Sequence, residues 1–208
     1  MKIFIISLAT GVIITLIIAY TTSAYSDRIQ NGIAREVIRL HVLPNSDNES
    51  DQQLKFLVRD GILDFFNNKM NGKTNKNESR EILLNNLPMI QELAERIIIS
   101  NGYNHSVSVN YGQSFFPTRL YGHLAFPAGN YEALNVKIGE GTGLNWWCIM
   151  FPPLCFVDIT GGVVADSNIL RDVLSDEEYD IVTNGASDEQ IPIMIRFRII
   201  EWWQERRR

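Results

Sequence analysis

Three hydrophobic patterns follow one another along this chain. Residues 3–20, within MKIFIISLATGVIITLIIAYTTSAYS, are uncharged and mainly apolar behind a single lysine, the pattern of an export or anchoring signal. The next pattern is period two: REVIRLHVLPNSD alternates Val37, Arg39, His41 and Leu43 against Ile38, Leu40 and Val42, which predicts a strand ended by Pro44 and Asn45. A helical period then takes over. Ser46 and Glu49 stand at capping-box spacing, and Leu54, Leu57, Val58, Ile62 and Phe65 recur at three- and four-residue steps, predicting a helix that fades near Met70.

After a polar linker at 71–79, SREILLNN predicts a short helix and Pro88 starts another, which buries Ile90, Leu93, Ala94 and Ile97 and stops at Gly102. Period two returns in HSVSVNYG, where Val107, Val109 and Tyr111 alternate with Ser106, Ser108 and Asn110. RLYGHLAF and YEALNVKI flank PAGN, which reads as a hairpin turn. With the first strand these make about four strands. The expected fold is therefore α+β: a small, mainly antiparallel sheet covered on one face by helices, behind an apolar signal or anchor helix. LRDVLSDEEYDIVTNG predicts short helices, and IPIMIRFRIIEWWQERRR predicts another, its three closing arginines complementing the helix dipole.

The length of the apolar run leaves its fate open. Thr22 and Ala24 suit cleavage after Ala24, yet 18 residues span about 27 Å, close to a hydrocarbon core of about 30 Å. The chain divides into a signal peptide or membrane anchor at 1–24, an α+β domain at 25–160 and a helical extension at 161–208. Without the first 24 residues it carries 18 basic against 24 acidic side chains, 18 − 24 = −6, a balance that disfavours nucleic acid as partner. Cys148 and Cys155 are the only cysteines. Beyond an export signal thiols are commonly oxidised, so a disulfide is the expected state, with two buried thiols as the alternative. A zinc site lacks a second ligand pair.

The three histidines, His41, His105 and His123, show no metal-binding spacing, and no G-x-S-x-G occurs. DITGG places Asp158 near a strand end without the second aspartate that a protease pair needs. GEGTG departs from the dinucleotide spacing and has no helix after it. Asp47, Glu49, Asp51 and Asp60 cluster near the first helix without the glycine and terminal glutamate of a calcium loop, and Asp51 with Lys55 has ion-pair spacing. No enzyme activity, metal or cofactor is implied.

What remains is GTGLNWWCIMFPPLCFVD, residues 141–158, too irregular to read as a helix or a plain strand. Pro152 and Pro153 stiffen it, the cysteines tie its ends, and Trp146, Trp147, Phe151 and Phe156 supply apolar area at low entropic cost, the composition of a protein-binding anchor. An inward fold, as a lid on the sheet, is the alternative.

VIRLHVLPNSD with DQQLKFLVRD, FFPTRLYGHLAFPAGNYEALNVKIGEG and NWWCIMFPPLCFVD together resemble the stage II sporulation protein R family over about residues 36–158. The positions that carry the resemblance are His41, Asn45, Ser46, Asp47, Asp51, Lys55, Arg59 and Asp60, then Phe116, Pro117, Thr118, Tyr121, Gly122, Pro127, Gly129 and Tyr131. Asn145, Trp146, Trp147, Cys148, Phe151, Pro152, Pro153, Cys155 and Asp158 complete them. Pro44 departs from the small residue expected there. The segment after 160 carries no part of the resemblance.

The resemblance implies a protein made in the forespore and exported into the space between the septal membranes, free or anchored in the septal membrane through residues 3–20. There it would activate a membrane-embedded aspartic protease of the mother cell that shortens the precursor of sporulation sigma factor E. It would act as a ligand and not as a catalyst. An exported cell-wall protein, binding or hydrolysing peptidoglycan, is the competing reading.

Overall fold

Val37 and the six residues of β1 (Ile38–Leu43) lie at the centre of the molecule, and Ile38, Arg39, Leu40 and Val42 of that strand are buried. The computed structural model describes residues 2–70, 75–155 and 168–184. The other elements are α1 (Lys2–Glu36), α2 (Glu49–Met70), α3 (Lys76–Ser100), β2 (Val107–Phe116), β3 (Arg119–Tyr121), β4 (Leu124–Phe126), β5 (Gly129–Ile138), β6 (Trp146–Phe151), α4 (Asn168–Arg171) and α5 (Asp176–Asn184).

The sheet has the order β2-β5-β1-β6. Its two outer joints are antiparallel and the central β1–β5 joint is parallel, which makes it mainly antiparallel as the alternation predicts. The register sorts the side chains. Leu40, Val42, Leu134, Val136 and Val109 share the face toward α2 and α3, while Arg39, His41, Ala133 and Trp147 share the other. One apolar core joins both faces to Ile29 and Ile33 of α1 and to Leu170, Leu174 and Val182 around α4 and α5.

Several expectations need correction. RLYGHLAF adds no strand to the sheet; it folds on itself as the β3–β4 hairpin, turning at Gly122, whose φ of +60° suits a residue without Cβ. PAGN therefore links β4 to β5, and β5 pairs with β2. The fourth strand is Trp146–Phe151, a regular strand inside the stretch that reads as irregular. Its residues lack alternation because the last four are buried whichever face they take.

One helix, α3, replaces the two expected around Pro88. Asn75 caps it through a capping box with Glu78, and Leu83, Ile90, Ala94 and Ile98 form one buried stripe across the proline. Burying that stripe outweighs the roughly 3 kcal/mol that an interior proline costs. At its end the amides of Gly102 and Tyr103 bond the carbonyls of Ile99 and Ile98, a Schellman closure with Gly102 at φ +82°.

On α2 the buried stripe is Leu54, Val58, Ile62 and Phe66, with Leu57 turned outward and 46% exposed. The helix begins at Glu49, so Ser46 lies outside it and does not cap it with Glu49. Asp51 and Lys55 make no ion pair with each other; each is buried with other partners.

Helix α1 runs without a break past position 24, from the apolar run to Glu36. Among the described residues it is the one helix long and apolar enough to cross a membrane. The helix expected at 191–208 lies outside the described residues.

Candidate partner-binding surface

The loop between β5 and β6 turns through Gly139 and Gly141, at φ +56° and +66°, and lies against the turn that follows β1. Asn45 Oδ1 accepts from the Glu140 amide at 3.1 Å, and a Cβ at Gly143 would stand 2.2 Å from the Ser46 carbonyl oxygen. Two charged side chains then grip one residue. Asp47 Oδ1 accepts from the Leu144 amide at 2.6 Å, and Lys55 Nζ donates to the Leu144 carbonyl at 3.0 Å. The Leu144 side chain itself is 70% exposed, two residues before Trp146.

Beneath this clamp lies Asp51, 5% exposed. Burial pushes its carboxyl upward, but donors from Ser46 Oγ at 2.6 Å, Asn45 Nδ2 at 2.8 Å and His105 Nε2 at 3.0 Å outweigh burial and hold it below its ordinary value. Burial likewise lowers Lys55, helped by Arg59 and opposed by Asp47. Asn45, Ser46, Asp47, Asp51 and Lys55 are thus joined into one brace by backbone and side-chain bonds. His105, 54 residues from Asp51, completes it.

The two tryptophans occupy opposite faces of β6. Trp146 meets Phe56 edge-on at 5.3 Å with the Arg59 guanidinium over its ring at 4.4 Å. Trp147 stacks on His41 at 3.8 Å and nearly parallel, with Phe116 edge-on at 4.7 Å and Arg119 near its other flank at 5.7 Å. Both rings are half-buried, and both indole N–H groups are buried without a hydrogen-bond partner among the described residues. Asp60 bonds Arg59 at the exposed rim.

Behind Trp147, the fully buried Arg39 lies among aromatic rings: Phe116 at 4.2 Å, Tyr131 at 4.8 Å and Tyr121 at 5.9 Å. Its Nη2 donates to the Tyr121 hydroxyl at 2.6 Å, while Nε and Nη1 have no hydrogen-bond partner among the described residues. Cation–π attraction and one hydrogen bond hold this charge. Tyr131, pushed up to about 12 by burial, donates to the Pro127 carbonyl at 2.6 Å, and Gly129 lets Gln30 of α1 approach where a Cβ would collide. Sequence reasoning missed Arg39, because one arginine on a half-polar strand has no local signal of burial.

The expected contact residues separate in space. Phe151 and Pro152 are buried and Pro153 is half-buried, so the inward alternative holds for the first two. Trp146 and Trp147 keep part of their surface, and Phe156 and Asp158 lie outside the described residues. Cys148 and Cys155 form the expected disulfide. Among the described residues no group of histidine, cysteine and carboxylate side chains could hold a metal ion.

The geometry defines a class: an α+β domain continuous with an apolar helix, presenting a braced loop and two half-buried tryptophans. The family model described as stage II sporulation protein R matches residues 34–161. Stage II sporulation protein R of Bacillus subtilis (strain 168) is 38% identical over 182 residues, covering 82% of this chain and 81% of that protein. The chain belongs to the stage II sporulation protein R family. No solved structure matches it.

Proposed function

We propose that this chain is the exported signal that the family resemblance implies, activating the membrane-embedded aspartic protease that shortens the sigma factor E precursor. Membership of the family, over a domain continuous with an apolar helix, carries the reading. Docking is assigned to the rim where Leu144, Trp146 and Arg59 adjoin, rather than to the buried prolyl turn. A ligand favours the active state of its target only by its differential affinity for that state, about 1.4 kcal/mol for each tenfold.

Deleting the gene in a sporulating host should leave the sigma factor precursor full-length. Leu144→Asp in the restored gene should reproduce that loss while the purified protein melts as the parent does, since this side chain is exposed. Precursor shortened normally in the deletion strain would end the proposal. Retention of the purified chain on peptidoglycan would favour the cell-wall reading.

A further inference from the structure

Strand β2 is ten residues long, and among the described residues it pairs with β5 alone. Its sequence, VSVNYGQSFF, has no charge and no proline. Exposed edges of that length are ordinarily blunted by lysine, proline or a bulge, because a row of free N–H and C=O groups accepts any passing strand. The Gly139 amide bonds the Ser106 carbonyl at 2.7 Å, in register with the Val107–Ile138 pair. Alternation then turns the amides and carbonyls of Val109, Tyr111 and Gln113 outward. Gly112 lies between the last two, with nothing within 4 Å of the place a Cβ would take.

Beside this edge lies a concavity of about 400 Å³ lined by Leu87, Pro88, Gln91, Glu92, Glu95 and Val109. Its floor is apolar and its rim acidic. Arg96 pairs with Glu92 at 3.4 Å, whereas Glu95 accepts from the neutral Gln91 amide at 3.1 Å. We infer that the open edge of β2 takes up an extended, basic, alternately apolar segment of a partner protein by strand addition. Backbone bonds to Val109, Tyr111 and Gln113 give the affinity; of the alternate side chains that face α3, apolar ones meet Leu87, Pro88 and Val109 and a basic one meets Glu95 beside the Glu92–Arg96 pair, while the intervening side chains point to the other face of the sheet. This rests on the reading that the chain acts by binding a protein, and it names a second contact distinct from the Leu144 rim.

The test uses the full chain in detergent micelles and two capped ten-residue peptides that alternate threonine with valine, one carrying a single central arginine in place of a valine and the other a glutamate there. The basic peptide should slow amide hydrogen exchange at Val109, Tyr111 and Gln113 at least tenfold, and the acidic peptide should not. Gln113→Pro removes an outward N–H, which an edge tolerates, and should abolish that protection while Ser108 and Asn110 stay protected by β5. Glu92→Lys with Glu95→Lys, which leaves the backbone intact, should weaken the basic peptide about tenfold, by about 1.4 kcal/mol. Equal protection by both peptides, no protection, or amides already protected in the free chain would overturn the inference; the last result would assign the edge to another part of this chain. In cells, a gene deletion that blocks precursor shortening together with full activity of Gln113→Pro would sink this inference alone, whereas normal shortening in the deletion strain would sink the function proposed above.

Discussion

Replacing Glu132 by glutamine tests the tightest ionic cluster among the described residues. Glu132 of β5 receives a two-pronged hydrogen bond from Arg80 at 2.6 and 2.7 Å, the Tyr111 hydroxyl at 2.6 Å and Lys76 at 3.0 Å. Lys76 also donates to the Ala34 and Arg35 carbonyls, so the cluster ties α1, α3, β2 and β5 together. Arg80 is the largest of the influences holding the Glu132 carboxyl down, from 4.5 to about 2, against burial and with Tyr111 and Lys76 assisting. That drop corresponds to about 3.4 kcal/mol at about 1.4 kcal/mol per tenfold. Lys76 is itself held below its ordinary value by burial, and the Glu132 side chain keeps 18% of its surface in water, so the net loss should be nearer 2 kcal/mol, roughly.

The sign follows from the direction. A depressed carboxyl contributes stability that is fully present above about pH 4.5 and is lost as pH falls toward about 2. Urea unfolding of the parent and Glu132→Gln at pH 7 should therefore differ by roughly 2 kcal/mol, and the gap should close between pH 4.5 and 2. A gap below about 0.5 kcal/mol at pH 7, or one unchanged at pH 2.5, would refute the reasoning, since only an ionised Glu132 distinguishes the two chains.

Two further substitutions probe the buried guanidinium and the disulfide. Tyr121→Phe leaves the Arg39 Nη2 donor unpaired in an apolar setting and should cost about 1–3 kcal/mol, whereas Arg39→Met should be neutral or stabilising in thermal melts, because two donors of Arg39 already lack partners. Cys148→Ser with Cys155→Ser opens a loop of sequence separation 7 and should lower unfolding free energy by about 2.5 kcal/mol, a difference that should vanish once the parent is treated with reductant.

Elements whose side chains alternate between apolar and polar, or recur at helical spacing, were legible in the sequence. β1, β2 and β5 show period two, α2 shows its helical stripe, and Gly102 announces a stop that the Schellman closure fulfils. Errors arose where tertiary packing overrode a local rule. Pro88 marks a helix start locally, yet the stripe from Leu83 to Ile98 carries one helix through it. Trp146–Phe151 hides its period because both faces are covered, and RLYGHLAF has the length of one sheet strand but folds as two of three residues around Gly122. Of the candidate site, the family-like residues were visible but their work was not. Asp51 is bonded by His105 from 54 residues away, and Arg39 meets Tyr121 across 82. Separations of that size leave no periodicity to read.

The join between helix and domain carries a final prediction. Past the apolar run, α1 continues through Tyr25 and buries Ile29 and Ile33; Arg28 meets Glu177 of α5 at 2.9 Å, and Gly32 admits Glu178 where a Cβ would collide. From Tyr20 to Ile29 the helix rises about 14 Å without a break. β1 follows α1 after Val37, and the Leu144 loop lies beyond the far end of β1, against Asn45 and Asp47. Replacing Ser23 and Ala24 by Gly-Pro should break the helix between the two parts while leaving Ile29 and Ile33 packed. The melting midpoint should then stay within about 2 °C, as expected for a change of about 0.5 kcal/mol or less, while spin labels at Ile18 and Asp27 should show a broadened distance distribution in bilayers. Precursor shortening should fall in the same variant. A narrow, parent-like distance distribution would show that the unbroken helix is not what couples the two parts, and normal precursor shortening with a broadened one would show that the function proposed above does not depend on that continuity.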